Sequence, residues 1–340
     1  MLRLFGILVT VLCAIGAAIL TWPQFFHLER VYPIAQVVSF RGLLVVGFGA
    51  LLVLMLLVML IRPLRGFAAS LALVALIAGG ANGAILLVRG TGSDALPDKT
   101  DGSLRVMTWN TAGGEATSAD QIARAAVAMD ADVVTLPETT IDTGEKVAVA
   151  MRQLGHRMWA YHTQYGAHGW DSSSTTILIS PRLGSYSVIE SSADGSSNTS
   201  TVPSAVAMPV DGKGPIIVAA HAVAPREQYM DAWRHDLQWI ADQCAAANVI
   251  LAGDFNATLD HMSDLGEHGA TMGRCHDAAA ATGNGGVGTW PTSTPPLAGA
   301  VIDHVMATDA WTPVASVVLS SMDGSGSDHR PLVVQLEPAH

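Results

Sequence analysis

The sequence predicts an α/β globular domain that follows an N-terminal region of three membrane helices. Two observations lead to this expectation. Three apolar runs occupy the N-terminal part of the chain, and each is close to the roughly 20 residues that an α-helix needs to cross a bilayer. After them, short apolar runs typical of buried strands alternate with amphipathic helical segments, which is the pattern of an α/β domain. The 340 residues are enough for both parts.

The membrane helices are expected at Leu4–Trp22, Leu43–Ile61 and Phe67–Val88, so that residues 1–89 form the membrane region. A cleaved signal peptide would explain the first run alone, but two further spans follow it and no clear cleavage site precedes them. Lys and Arg residues are shared equally between the two sides of the three spans. The tight pair Arg62 and Arg65 favours a cytoplasmic second connection, which places the C-terminal domain outside the cytoplasm.

The segment Gly90–Ser103 is rich in Gly, Asp, Thr and Pro and lacks periodicity, which predicts a flexible linker to a domain over residues 104–340. From residue 94 onward, the chain has 12 Lys and Arg and 28 Asp and Glu, which gives a formal net charge of −16. Phosphate neutralisation dominates the binding of duplex DNA, so an acidic domain of this kind is a poor host for it. We therefore expect no stable nucleic-acid binding.

Polar residues follow the predicted strands of this domain. Strands are expected over residues 104–109, 132–136, 175–179, 215–220, 249–252 and 300–306 and after residue 329, with helices over 119–129 and 226–246. The residues at their ends are Asn110, Glu138, His221, Asp254 with Asn256, Asp303, and the pair Asp328–His329. Strand ends present side chains to clefts. Taken singly, each residue also fits turn chemistry, a solvated loop or a structural hydrogen bond.

Four other features of the sequence give weaker indications of structure or function. Trp290 lies between turn residues, where it can wall a pocket or cap the core. Helix 226–246 carries Trp233, Leu237 and Ile240 on one stripe, which is expected to be core. The loop histidines lack the close spacing of a zinc site and are expected at the surface; they are His261, His268 and His276. Cys244 and Cys275 can form one disulfide in an oxidising compartment.

Two motifs together resemble the endonuclease/exonuclease/phosphatase superfamily. They are Gly253-Asp254-Phe255-Asn256 and Ser327-Asp328-His329-Arg330-Pro331, and the resemblance covers roughly residues 104–337. The superfamily includes secreted DNases, abasic-site endonucleases, neutral sphingomyelinases and inositol-phosphate phosphatases. One departure is Pro137 before Glu138, where the family usually has Gln. The resemblance implies a four-layer α/β sandwich, in which two mixed sheets lie face to face with helices outside.

The resemblance also implies a metal site. Glu138 and Asn110, with Asp328 completing the set, would supply oxygen ligands. Such ligands suit Mg²⁺ (or Mn²⁺) better than zinc, which prefers His and Cys.

The resemblance further assigns the remaining strand-end residues to catalysis. Trp290 is expected, from its position between turn residues, to contact substrate. Asp254, held by Asn256, would orient and deprotonate the attacking water. His329 would donate to a phosphoryl oxygen, and Asp303 would fix its ring and favour its charged form. His221 would stabilise the same oxygens or the leaving group. The identity of the general base stays open.

Three spans directly before the domain resemble an actinobacterial branch of the superfamily that is linked to glycopeptide-antibiotic resistance. In that branch an extracytoplasmic domain is thought to act on a lipid-linked phosphate or pyrophosphate of the cell-wall cycle. We therefore expect a multi-pass membrane phosphohydrolase whose partners are the lipid bilayer and a phosphorylated, lipid-linked substrate. Two alternatives remain: a membrane-tethered nuclease, which the negative charge opposes, and a binding module without metal-dependent turnover.

Overall fold

The computed structural model describes residues 2–93, 95–111, 117–166 and 171–339. The α-helices of these residues are α1 (Leu2–Thr21), α2 (Ile34–Val38), α3 (Arg41–Val58), α4 (Arg65–Arg89), α5 (Ala119–Ala128), α6 (Ile141–Gln153), α7 (Met230–Asp242) and α8 (Ala278–Ala281). The strands are β1 (Leu104–Thr108), β2 (Val133–Pro137), β3 (Trp159–Gln164), β4 (Ser174–Ile179), β5 (Tyr186–Val188), β6 (Ala205–Pro209), β7 (Ile216–His221), β8 (Val249–Asp254), β9 (His276–Asp277), β10 (Asp303–Ala307), β11 (Trp311–Val318) and β12 (Leu332–Pro338).

Helices α1, α3 and α4 are each long and apolar enough to cross a membrane. Their outward faces expose large apolar side chains; Leu4 is 73% exposed and Val46 is 65% exposed. A continuous apolar surface of this kind is unfavourable in water and is matched by hydrocarbon. The three apolar helices predicted from the sequence are confirmed.

The strands form two mixed sheets. The described strands of the first sheet follow the order β11-β12-β1-β2-β4-β3, and those of the second follow β5-β6-β7-β8-β10-β9. In each sheet one central pair is parallel, β1 with β2 and β7 with β8, and the other pairs are antiparallel. Parallel strands place their carboxyl ends at one edge of a sheet, which is where the candidate site lies.

The domain has four layers, as the resemblance implied. The two sheets bury one apolar core between them, which includes Val106, Ile177, Ile217, Ile250 and Val305. Helices α5 and α6 cover the outside of the first sheet around Trp109 and Leu178. Helix α7 covers the second sheet, and the predicted stripe of Trp233, Leu237 and Ile240 is fully buried there.

The segment from Gly90 to Ser103 is irregular, as predicted, but it does not run as a free coil. Residue 94 lies outside the described residues. The Ser93 hydroxyl donates to the carbonyl of Ser316 at 3.0 Å. The Lys99 ammonium lies 2.9 Å from Asp130 and 2.7 Å from Asp132. The segment therefore lies against the domain it introduces, and the picture of a flexible tether is corrected.

The surface position predicted for His261 is wrong. This ring is fully buried; its Nδ1 accepts from the Thr258 N–H at 2.8 Å, and its Nε2 donates to the carbonyl of Ala35 at 3.0 Å. Ala35 belongs to α2, in the connection between α1 and α3, so the partner is far away in sequence. His268 is exposed and His276 is half-buried. Cys244 and Cys275 form the disulfide that the sequence left open.

Candidate active site

Three of the predicted side chains come together through the register of the second sheet. His221 on β7 pairs with Asp254 on β8, and Asp254 pairs with Asp303 on β10. The three residues therefore lie side by side across three neighbouring strands at one edge of the sheet. Side chains alternate between the two faces of a strand, so a slip of one residue would separate them.

The first sheet contributes Asn110 after β1 and Glu138 after β2. The Asn110 amide donates to Glu138 Oε1 at 3.2 Å and to Asp254 Oδ2 at 2.9 Å, which links the ends of the two sheets. Glu138 has a φ of +54°, in the left-handed region that a glutamate rarely adopts. The Thr111 hydroxyl donates to the Glu138 carbonyl at 3.1 Å and holds this turn.

Asp254 is buried and held by its own loop. The Asn256 backbone N–H donates to Asp254 Oδ1 at 2.8 Å. The Asn256 amide donates to the carbonyl of Ala222 at 3.0 Å and to Asp254 Oδ2 at 3.3 Å. Burial raises the pKa of Asp254; the charge of His329 opposes the increase and the charge of Asp303 adds to it. A carboxylate with a raised pKa is a better proton acceptor than an ordinary aspartate.

His329 and Asp303 form a buried pair. His329 Nδ1 donates to Asp303 Oδ2 at 2.8 Å. Burial alone would lower the pKa of His329, but the carboxylates of Asp303 and Asp254 outweigh burial and raise it above its usual value. The ring is therefore an imidazolium at neutral pH, with Nε2 at 3.8 Å from Asp254 Oδ2 and from Asp328 Oδ1.

His221 differs from His329 in that its pKa is lowered and its ring is uncharged. Its Nε2 lies 3.8 Å from Glu138 Oε1 and its ring is buried. Burial lowers the pKa of His221 to about 3, so the ring is neutral at physiological pH. A neutral imidazole has one N–H to donate. His221 can therefore hydrogen-bond a substrate oxygen, whereas His329 can also offer a positive charge.

The structure adds supporting residues that received no role from the sequence. The Ser327 hydroxyl donates to the Asn110 carbonyl at 2.7 Å and accepts from the His329 N–H at 3.0 Å. The Thr289 hydroxyl accepts from the Asp303 N–H at 3.1 Å. Arg330 is fully buried and its Nε donates to Asp323 at 2.7 Å. Ser327 and Arg330 belong to the motif that carried the resemblance, which was the available signal; Thr289 gave none.

Two groups of these side chains have donors that suit a divalent cation. Glu138, Asn110 and Asp328 are the predicted ligands; the Glu138 side chain is 28% exposed and that of Asp328 is 56% exposed, and both line one pocket. Asp254, Asp303 and His329 form a second, buried group whose ligand atoms lie within 4.8 Å of one another, although the His329 ring would bind a cation only after losing its Nε2 proton. The Asp303 Oδ1 atom of that group is buried without a hydrogen-bond partner among the described residues. Carboxylate oxygens at such spacing favour a hard cation. The sequence had assigned the second group to catalysis alone.

These side chains open into a pocket of about 900 Å³. One part of its lining is polar and consists of Glu138, Asp254, Asn256, Asp328 and His329. The other part is more apolar and includes Phe40, Pro225, Trp290, Ala300 and Ile302, with Gln36 and Ser39 from the connection between α1 and α3. Trp290 thus lies in the pocket wall, and its Nε1 donates to Asp328 Oδ2 at 2.9 Å. The contribution of residues 36–40 was missed by the sequence analysis.

The model of the Endonuclease/Exonuclease/phosphatase family matches residues 107–329. The chain belongs to this family. It is accordingly a metal-dependent phosphoesterase, and the binding module without turnover is set aside. Of the residues that the resemblance placed in the site, Glu138, Asp254, Asn256, Asp328 and His329 line this pocket. Asn110, His221 and Asp303 are not among its lining residues but lie next to Glu138 or His329. The individual role of each residue remains a prediction.

Solved structures share the fold of this family member. An endonuclease/exonuclease/phosphatase from Beutenbergia cavernae DSM 12333 is 21% identical, with a TM-score of 0.50, over 70% of this chain and 72% of that chain. A family protein from Leptotrichia buccalis C-1013-b is 14% identical, with a TM-score of 0.53, over 69% and 99%. D. rerio TDP2 complexed with single strand DNA product is 15% identical, with a TM-score of 0.50, over 69% and 99%. No curated protein matches the sequence of this chain.

Proposed function

We propose that this protein is a membrane-anchored phosphohydrolase that acts outside the cytoplasm on a lipid-linked phosphoester or pyrophosphate of the cell envelope. One observation carries the proposal. Gln36, Ser39 and Phe40, from the connection between two apolar helices, line the same pocket as Glu138 and His329. A catalytic pocket with a wall next to a bilayer-spanning helix favours a substrate that is itself anchored in the bilayer. The similarity to the glycopeptide-resistance branch points the same way.

The arginines support the proposed orientation. On the side of the catalytic domain, arginines pair with carboxylates: Arg30 with Glu29, and Arg41 and Arg89 with Asp260. On the opposite side, Arg62 and Arg65 are exposed and have no carboxylate partner among the described residues. Free positive charge is thus concentrated in the connection that the positive-inside rule places in the cytoplasm. The disulfide between Cys244 and Cys275 suits an oxidising compartment outside.

The chain's own residues define the proposed chemistry. Glu138, Asn110 and Asp328 would hold Mg²⁺ or Mn²⁺, which when bound neutralises charge on the phosphoryl oxygens. Asp254, kept in place by Asn256, accepts a proton from the attacking water.

Histidines would serve the phosphoryl group and the leaving group. The His329 imidazolium, fixed by Asp303, donates to a phosphoryl oxygen and stabilises charge that develops there. His221 donates its single N–H to the same oxygens or to the leaving group.

Product formation by the full-length chain in detergent micelles tests the substrate class; it is followed as inorganic phosphate for monoesters and pyrophosphates, and as cleavage products for phosphodiesters such as DNA. Polyprenyl pyrophosphates, phospholipids, nucleotides and DNA would be compared with Mg²⁺, and an Asp254→Asn variant would report background. We expect a lipid phosphate to be the fastest substrate. Alkaline-phosphatase and fluorescent-protein fusions at the C-terminus test the location; a fluorescent, phosphatase-silent fusion would place the domain in the cytoplasm and contradict the proposal.

A nuclease is the second candidate, because the fold is shared with a protein whose structure holds a single strand DNA product. The net charge of −16 after residue 93 opposes it. The same comparison separates the two functions, since DNA cleaved faster than every lipid phosphate would favour the nuclease.

A further inference from the structure

We infer that Phe40 and Trp290 form a subsite for the apolar chain of the substrate, directly beside the site for its phosphate. This inference rests on the proposed function and makes it more specific. The ligand chemistry is a phosphate or pyrophosphate joined to a long hydrocarbon chain, either isoprenoid or acyl.

The two rings form one continuous apolar surface. Their centroids are 5.9 Å apart with planes inclined at 48°, both are half-buried, and both line the pocket. Ala300 and Ile302 extend this wall. The indole N–H of Trp290 donates to Asp328 at 2.9 Å, so the apolar wall ends at a carboxylate of the polar half. A ligand that occupies both halves must therefore carry a charged group and an apolar group next to each other.

The apolar wall is continuous with the membrane region. Phe40 immediately precedes α3, one of the three candidate membrane spans. Trp290 and Ala300 pair in a β-bridge that closes a loop, and the Leu297 carbonyl of this loop lies 1.8 Å from where a Cβ on Gly42 would stand. Only glycine allows this approach of the loop to α3. The side chain of Leu297 remains 46% exposed beside it. A chain that leaves the pocket along Phe40 thus meets apolar helix surface and not water.

Buried polar contacts fix Phe40 in this position. Its neighbour Arg41 donates to both carboxylate oxygens of Asp260 at 2.7 Å. On its other side, the α2 carbonyl of Ala35 accepts from His261 at 3.0 Å. A preformed apolar wall loses little entropy when a ligand binds, so its contribution appears in affinity. Phe40 therefore acts as a specificity-determining residue that the membrane region supplies to the catalytic pocket.

The test measures chain-length selectivity of the full-length protein in one detergent with Mg²⁺. Isopentenyl, geranyl and farnesyl pyrophosphates share a headgroup and differ in chain length, and a matching series of phosphatidic acids with short and longer acyl chains separates the isoprenoid from the acyl source. We expect kcat/KM to increase with chain length in one of the two series. Phe40→Ala should reduce the ratio of kcat/KM for the longest chain to kcat/KM for the shortest chain by about tenfold, mainly through KM. Phe40→Leu should restore most of this ratio.

Phe25→Ala is the matched control, because Phe25 lies in the same connection, is 80% exposed and is not among the residues that line the pocket. Its selectivity ratio should equal that of the unaltered protein. If the unaltered protein had the same kcat/KM for every chain length, the proposed subsite would be refuted without the use of any variant. The inference can therefore be refuted even if Phe40→Ala folds poorly. An equal ratio for Phe40→Ala and Phe25→Ala would also overturn it. Absence of phosphate release from both series is a different result, which counts against the proposed function.

Discussion

The carboxylate of Asp260 joins the membrane region to the catalytic domain, and Asp260→Asn tests that joint. Asp260 is 1% exposed and accepts from Arg41 Nε and Nη2 at 2.7 Å and from Arg89 Nη1 and Nη2 at 2.8 and 2.7 Å. Burial would raise the pKa of Asp260, but the two guanidinium groups overcome it and hold the pKa far below the usual range. The carboxylate is therefore ionised throughout the physiological range.

The asparagine keeps the shape of the side chain but removes its charge. One amide oxygen replaces two carboxylate oxygens, and the NH₂ group points its hydrogens at a guanidinium. Two arginines then share a buried site without a counter-charge, and Arg41 itself is only 4% exposed. Removing one partner of a buried ion pair costs about 3–5 kcal/mol. At about 2–4 °C per kcal/mol for a domain of this size, we expect the melting temperature to decrease by on the order of 10 °C.

Thermal unfolding of the full-length chain in detergent, followed by near-ultraviolet circular dichroism, measures this change. Asp264→Asn is the matched control, since Asp264 is exposed in the same loop and has a φ of +64°, which asparagine tolerates well. A carboxyl group whose pKa is lowered by folding stabilises the fold at every pH above the pKa that it has in the unfolded chain. The difference in melting temperature between the two variants should therefore be constant from about pH 5 to 8 and become smaller only in stronger acid. Equal melting temperatures for the two variants would refute the reasoning.

Four further predictions concern the site and the disulfide. Glu138→Gln should reduce turnover by more than about a hundredfold with an unchanged melting temperature, and full activity of the unaltered enzyme in excess chelator would contradict a metal site. His329→Ala combined with Asp303→Asn should cost little more than His329→Ala alone in kcat/KM, because the pair acts as a unit; strictly additive losses would show two independent residues. Asp303→Asn alone removes a charge that raises the pKa of His329, so the alkaline limb of the pH–rate profile should move to lower pH. Replacing both Cys244 and Cys275 by serine opens a loop of 31 residues and should cost about 3–4 kcal/mol in denaturant unfolding, whereas an unchanged midpoint would show that the bridge is dispensable.

The strand-end residues could be predicted because the signal is local. An apolar run followed at once by Asp254 or His221 marks a strand and its end without knowledge of the rest of the chain. What the sequence could not give is the register that aligns His221, Asp254 and Asp303, since pairing between strands depends on the whole sheet. The family resemblance predicted that these residues lie close together, and the strand register explains physically why they do.

Contacts between distant segments account for what was missed. Arg41 and Asp260 are 219 residues apart, and the partner of His261 lies 226 residues before it. Nothing near either residue in the sequence indicates that it is buried. The connection around Phe40 received no role from the sequence for the same reason. Composition likewise indicated a flexible segment at 90–103, although the hydrogen bonds that fix it, such as that of Ser93, involve remote backbone.

The left-handed backbone of Glu138 has a consequence for the engineering of this enzyme. A residue with a Cβ in that conformation costs of order 1–3 kcal/mol, and glycine or asparagine relieves much of it. A selection for heat resistance alone would therefore favour Glu138→Gly or Glu138→Asn. Because the carboxylate faces the pocket, the survivors of such a selection would be robust and inactive. Directed evolution of this protein thus needs an activity screen in every round, because substitutions at this position that increase thermal stability abolish turnover.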